Sequence, residues 1–142
     1  MQPIFTLPMV VRDYECDIQG IVNNAVYQNY NEHCRSCFIA SLGIEFADLH
    51  ERGIDVVVAQ LNMRFKTSLR PGDKFEIRLA LEKQGLRYVF HQDIVRLADE
   101  NRAQKDPSYQ KEILSLRAQT DIVAIINGRL SDCPELNEKF GL

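Results

Sequence analysis

The segment Asp17-Ile-Gln-Gly-Ile-Val-Asn-Asn-Ala-Val-Tyr27 decides the fold of this chain, because it joins a glycine turn to the start of a helix. Gly20 suits a tight turn, and Asn23 or Asn24 suits a helix start, where Asn side chains cap free backbone N–H groups. Those N–H groups carry partial positive charge and can stabilise a developing oxyanion. Asp17 is ionised at neutral pH and can serve as nucleophile or general base. The segment therefore predicts a site that breaks an activated acyl bond.

Each of these residues also has a purely structural explanation. Aspartate is common in turns, and asparagine is common at helix caps. Gly20 allows a tight turn whether or not the turn is catalytic. Tyr27 lies on the apolar face of the expected helix, which favours a place in the core or in the lining of a channel. The functional interpretation depends on the whole arrangement rather than on Asp17 alone.

A long helix follows the motif. Apolar residues recur from Val26 to Leu42 with a period of 3.6 residues, which predicts a helix over 24–42 that ends at Gly43. A shorter helix is expected over 45–52. Glu32 and Arg35 have the spacing of a surface ion pair, and Glu32 is also a candidate for the substrate site.

Strand periodicity begins at Asp55. Val57, Ala59 and Leu61 are expected on an apolar face together with Met63 and Phe65, and Gln60 is expected on the polar face, where it could orient water. The other expected elements are strands over 4–13, 75–82, 86–97 with a bulge near Gln92, and 114–126, a turn over 70–73, a mobile hairpin loop over 98–111, and a helical turn from Pro134. The pattern predicts one α+β domain over 1–142, in which a five- to six-stranded antiparallel sheet wraps a long central helix. Its free edges favour pairing with a second copy.

Composition excludes several classes of protein. The 142 residues carry a net charge of −3, with 45% hydrophobic and 26% charged residues, so we expect neither a nucleic acid nor a membrane as partner. The chain has no long apolar run, and we expect a cytoplasmic protein. Cys34 and Cys37 fall in the middle of the expected helix without a second ligand pair, which favours reduced thiols and no metal site.

The residues Asp17-x-x-Gly20, Val22, Tyr27, Glu32 and Arg35, together with "RFKTSLRPGD" over 64–73, resemble the signature of the hotdog-fold acyl-CoA thioesterase superfamily. Within it, the sequence is most similar to the 4-hydroxybenzoyl-CoA thioesterase and YbgC-like group. The resemblance implies that Asp17 attacks the thioester carbonyl or activates water. It also implies that the Asn24 N–H holds the oxyanion, with Gly20, Tyr27, Glu32 and Gln60 as substrate-site candidates.

The same resemblance implies a homodimer or a tetramer built from two dimers, with the acyl channel between subunits. It implies no cofactor, because CoA is part of the substrate. The pair Asn23-Asn24 is also similar to the acyl-ACP thioesterases of this fold, so the carrier could be CoA or acyl carrier protein (ACP). A non-catalytic acyl-CoA-binding protein and a hotdog hydratase or dehydratase are the alternatives, and the motif holds no histidine that a hydratase would use.

Overall fold

A six-stranded antiparallel sheet curls around one long helix in the computed structural model, which describes residues 1–142. The strand order is β1-β3-β4-β5-β2, with the short β6 paired to β5. The strands are β1 (Phe5–Val10), β2 (Ile54–Phe65), β3 (Lys74–Gln84), β4 (Arg87–Arg96), β5 (Ile113–Ile126) and β6 (Arg129–Ser131). The helices are α1 (Asn24–Ser41), α2 (Phe46–Glu51), α3 (Glu100–Ala103) and α4 (Pro134–Phe140), with 3₁₀ turns at Asp13–Glu15 and Pro107–Gln110.

The core lies between α1 and the concave face of the sheet. Phe75, Ile77 and Leu79 of β3 are completely buried there, as the alternating pattern predicts. Tyr30 and Phe38 of α1 pack against this face, and Tyr30 lies 4.8 Å from Phe75 between ring centroids. Helix α1 starts at the predicted residue and ends one residue before the predicted end, and the α+β prediction is confirmed.

The apolar face of β2 differs from the prediction. The register of β2 against β5 shifts between Val58 and Gln60, so a β-bulge separates the two halves of the strand. Ile54 and Val56 therefore pack against the core before the bulge, and Met63 does so after it, whereas Val57 is exposed on the other face. The predicted single apolar face is wrong for the first half of β2, because one extra residue reverses the alternation.

A second bulge was expected near Gln92 and lies elsewhere. Gln92 pairs regularly with Leu79 and Ala118, and the register of β4 against β5 shifts between Ile94 and Val95. Gln92 is nevertheless completely buried, so its polar side chain interrupts the apolar pattern without interrupting the strand.

The segment 98–111 is not the irregular loop that its composition suggests. It forms α3 and a 3₁₀ turn, each begun by an aspartate whose side chain accepts backbone N–H groups. Tyr109 is buried, and its hydroxyl donates to the buried carboxylate of Asp73 at 2.6 Å. Arg102 donates to the same carboxylate, which ties the segment to the turn before β3.

Candidate active site at the start of helix α1

The motif loop, residues 13–23, is fastened to the rest of the domain through Glu15. The Glu15 carboxylate is buried and accepts hydrogen bonds from the Arg12 backbone N–H at 2.7 Å, the Arg12 guanidinium at 2.8 Å and the Tyr30 hydroxyl at 2.8 Å. Burial alone would raise the pKa of Glu15, but these bonds outweigh it and hold the pKa below its ordinary value. The Glu15 carbonyl also accepts the Asn23 N–H at 3.1 Å. One buried carboxylate thus joins the end of β1, the motif loop and α1.

Asp17 stands on a tight turn at the tip of the motif loop. Cys16 and Val22 form an isolated antiparallel bridge, and the Asp17 N–H donates to the Ile21 carbonyl at 2.9 Å. Gly20 has a φ of +76°, a left-handed conformation that favours glycine, and its N–H closes the turn on the Asp17 carbonyl at 3.0 Å. The Asp17 carboxylate is exposed and accepts only the Gln19 N–H, at 2.8 Å.

Helix α1 begins directly behind this turn. Asn23 is the N-cap, and its side chain accepts the Ala25 N–H at 2.9 Å, so the capping explanation for Asn23 is confirmed. Asn24 is the first helical residue, and its backbone N–H has no hydrogen-bond partner. Ile21, Val22 and Asn23 separate Asn24 from the turn that Asp17 and Gly20 close. The motif loop therefore carries an exposed carboxylate and leads directly into an unpartnered N–H at the positive end of an 18-residue helix.

Tyr27 bonds the turn over residues 66–73 to α1. It is 3% exposed, and its hydroxyl accepts the Leu69 N–H at 2.9 Å. The Leu69 carbonyl in turn accepts the Val22 N–H at 2.9 Å, so the 66–73 turn is bonded to both α1 and the motif loop. Burial raises the pKa of Tyr27. The structure gives Tyr27 a positioning role within the protomer.

Glu32 lies elsewhere, on the wall of a cavity of about 560 Å³ between α1, α2 and the concave face of the sheet. It follows Asn24 by eight positions in α1, a distance of about 12 Å along the helix axis. Gln28 and Arg35 share this wall, and apolar side chains including Ile39, Phe90 and Phe140 form much of the remainder. We call this space the Arg35 cavity.

Arg35 is not the surface partner of Glu32 that the spacing suggests. It is 7% exposed and has no carboxylate within 4.0 Å. Its Nη1 donates to Gln92 Oε1 at 2.9 Å and Thr120 Oγ1 at 3.3 Å, both on the concave face of the sheet. Burial lowers the pKa of Arg35. Sequence reasoning missed this group, although its place between Cys34 and Phe38 on the apolar stripe of α1 is an available signal.

Gln60 lies on the convex face of the sheet, away from α1. It pairs with Asp121 in β5, whereas the next residue, Leu61, pairs with Thr120 on the concave face. Its side chain accepts the Arg87 guanidinium at 3.0 Å, and Arg87 also donates to Asp121 at 2.8 Å. Within one protomer, Gln60 therefore does not join the site formed by Asp17, Gly20 and Asn24.

The curled sheet around a central helix defines the hotdog fold, and comparison with known proteins gives the family. The thioesterase superfamily model matches residues 19–100, more than half of the chain, and begins two residues after Asp17. The chain belongs to the thioesterase superfamily.

Individual relatives agree with this assignment. The chain is 41% identical over 78 residues to an acyl-ACP thioesterase, ATL3, from Arabidopsis thaliana chloroplasts, which covers 55% of this chain and 41% of the relative. The chain spans about half or less of such curated plant relatives. A hypothetical protein from Aquifex aeolicus is 27% identical with a TM-score of 0.78, over 96% of this chain and 98% of that one. A 1,4-dihydroxy-2-naphthoyl-CoA thioesterase from Synechocystis shares the fold, with 17% identity and a TM-score of 0.80 over 96% and 95% of the chains.

Proposed function

We propose that this protein hydrolyses acyl-CoA thioesters to a free acid and CoA. The single observation that carries the proposal is that the motif loop presents the exposed Asp17 carboxylate and leads directly into the unpartnered Asn24 N–H at the start of α1. Asp17 attacks the thioester carbonyl or removes a proton from the water that attacks it. The Asn24 N–H and the helix dipole stabilise the oxyanion. Thiolate then leaves and is protonated to CoA; where Asp17 is the nucleophile, water next hydrolyses the mixed anhydride to the free acid and restores the Asp17 carboxylate. No metal or prosthetic group takes part.

The proposed carrier is CoA, as in the YbgC-like group that the motif resembles. Lys66 and Arg70 support it, because they form no ion pair and belong to the 66–73 turn, which is bonded to the motif loop through Leu69. Arg64, at the end of β2, also forms no ion pair. Such cations suit the phosphates of CoA. Arg87 is less available, because Asp121 binds it on the convex face.

Acyl-ACP hydrolysis is the second candidate. The identity to plant proteins named acyl-ACP thioesterases favours it, over the 78 and 95 residues that match. We also propose a cytoplasmic location, which the names of those chloroplastic relatives do not share. No helix of the structure combines the length and apolar character that crossing a membrane requires.

The test is thiol release from one set of acyl groups presented on both carriers. We expect kcat/KM on acyl-CoA to exceed kcat/KM on the matching acyl-ACP at least tenfold. The reverse preference would favour the ACP thioesterase. Binding of acyl-CoA without thiol release from either carrier would contradict hydrolysis and favour a non-catalytic acyl-binding protein.

A further inference from the structure

The guanidinium of Arg35 leaves one edge free inside the Arg35 cavity. Gln92 and Thr120 occupy Nη1, whereas Nε and Nη2 have no hydrogen-bond partner in the protein. Both of these atoms remain accessible to solvent. Nε and Nη2 form the edge of a guanidinium that binds two oxygens side by side. The structure therefore presents a bidentate donor on the wall of the cavity.

A buried cation without a counter-ion is costly. Its two protein partners are neutral, and they replace only part of the water that a guanidinium loses on burial. None of the other charged groups of the cavity forms an ion pair with it, although the charge of Glu32 acts on it from a longer distance and partly opposes the effect of burial on its pKa. His50 and Asp55 bind each other at 2.6 Å and are both exposed, and Glu32 is exposed and forms no ion pair with Arg35. An anion that enters the cavity would remove this cost.

Arg35 lies far along α1 from the Asn24 N–H, which is proposed to hold the reacting carbonyl. Arg35 follows Asn24 by eleven positions in α1, which is about 16 Å along the helix axis. An acyl group whose carbonyl is held at the Asn24 N–H must therefore be long to place a terminal carboxylate at Arg35. Apolar side chains including Ile39, Val56, Phe90 and Ile122 line the cavity around the guanidinium and suit a hydrocarbon chain.

We infer that the Arg35 cavity binds an acyl group that carries a second, free carboxylate, and that Arg35 holds this carboxylate through Nε and Nη2. The substrate class is then the monothioester of a dicarboxylic acid. This assignment deepens the proposed function and rests on it for the thioester end. The recognition of the free carboxylate rests on Arg35 alone.

The test compares matched pairs of thioesters that differ only in the terminal group. Glutaryl-CoA is paired with pentanoyl-CoA and dodecanedioyl-CoA with dodecanoyl-CoA, and both lengths are measured because the reach of the site is set by the bound pose. We expect wild type to show at least tenfold higher kcat/KM for dodecanedioyl-CoA than for dodecanoyl-CoA, whereas the shorter pair, which cannot span this separation, should show no such preference. Arg35→Met is expected to abolish this preference while the plain acyl-CoA is still hydrolysed. Arg117→Met is the control, because Arg117 is exposed and binds Asp93 on the convex face.

Calorimetry with the free acids makes the inference independent of turnover. Dodecanedioate is expected to bind wild type at least tenfold tighter than dodecanoate. Arg35→Lys keeps the positive charge but cannot bind two oxygens side by side, so it is expected to lose most of that difference in affinity. If no thioester is hydrolysed but dodecanedioate binds tighter, the proposed function fails and the inference about Arg35 stands. The inference would be overturned if wild type showed neither a higher kcat/KM for the carboxylated thioesters nor a higher affinity for dodecanedioate. It would also be overturned if Arg35→Met lowered kcat/KM equally for all substrates. If Arg35→Met does not fold, the wild-type comparison decides.

Discussion

Two buried side chains, Glu15 and Tyr27, fix the place of the exposed Asp17. Glu15 binds the motif loop to Arg12 and Tyr30, and Tyr27 binds the neighbouring turn through the Leu69 N–H. Neither residue is expected to touch substrate. They hold the turn that contains Gly20 at one position relative to the start of α1. An oxyanion site requires such a fixed arrangement.

Tyr27→Phe tests the first of these anchors. The change removes the hydroxyl and leaves the buried Leu69 N–H without a partner, which should lower the free energy of unfolding by about 1–3 kcal/mol. Urea denaturation followed by circular dichroism measures this loss. Tyr14→Phe is the matched control, because the Tyr14 ring is 78% exposed and its hydroxyl makes no hydrogen bond, so it should have almost no effect. Equal effects of the two changes would show that the Leu69 bond contributes nothing.

Glu15 should make stability depend on pH. Its pKa in the folded protein lies below its ordinary value, so the carboxylate contributes stability above the unfolded pKa of about 4.3. That contribution is lost as the pH falls through the folded pKa. We expect the free energy of unfolding of wild type to fall between about pH 5 and pH 3, and Glu15→Gln to be less stable at pH 7 and less dependent on acid. Urea titrations at each pH measure both slopes.

The control for this titration is Glu51→Gln. Glu51 is an exposed residue of α2 that forms no ion pair. Its substitution should leave the acid dependence of wild type unchanged. A slope in Glu15→Gln as steep as that of wild type would mean that other carboxylates carry the acid sensitivity.

The helix bounds and the buried strand faces that could be predicted are those that capping and periodicity control. Gly43 and the 3.6-residue stripe predicted α1 to within a residue, and the alternation of β3 predicted its buried face. The bulge in β2 could not be predicted, because it depends on the pairing with β5 and leaves no mark in the sequence of β2 itself. The burial of Arg35 was missed for a related reason, since i, i+3 spacing to Glu32 describes one helix and not the sheet packed against it.

The structure of segment 98–111 also depends on residues that are distant in sequence. Its polar composition favours a loop, yet the buried Asp73 carboxylate accepts Arg102, Tyr109 and the Arg70 N–H and so orders the segment. The Arg96 guanidinium also stacks 3.9 Å from the centre of the Tyr109 ring. These partners are distant in sequence, and only the fold brings them together.

Arg102→Ala tests whether this network orders the segment. The change leaves the buried Asp73 charge with fewer partners, and we expect a loss of about 2 kcal/mol in the free energy of unfolding, moderated because Arg102 is partly exposed. Amide hydrogen exchange of residues 98–111 should also accelerate. Lys105→Ala, on the same segment without an ion pair, should change neither quantity. Unchanged exchange in Arg102→Ala would mean that the segment is ordered by other contacts.

At the scale of the whole molecule, the two long edges of the sheet differ. The β1 edge carries Pro8 in its middle, which cannot donate to a further strand. The β2 edge has no proline and exposes Val57 by 45% and Val58 by 53%. We propose that a second copy of this chain pairs along β2 to form a homodimer, and that dimers associate further into a tetramer.

Val57→Asp tests this assembly. A charge on the apolar part of the β2 edge should shift the molecular mass measured by light scattering from dimer toward monomer, with the fold unchanged. Thr6→Asp places the same charge on the exposed face of β1 and should leave the mass unchanged. A wild type that is monomeric, or a Val57→Asp protein as large as wild type, would contradict pairing along β2.

The proposal that the Asp17 carboxylate carries the chemistry is tested by acyl-CoA hydrolysis with Asp17→Asn and, as its matched control, Asp13→Asn. Both aspartates are exposed on the motif loop, and neither forms an ion pair, so both changes should preserve the fold. We predict that Asp17→Asn lowers kcat at least about 100-fold while Asp13→Asn stays near wild type. Thiol release by Asp17→Asn at the wild-type rate would contradict the account and leave the fold and the family as they are.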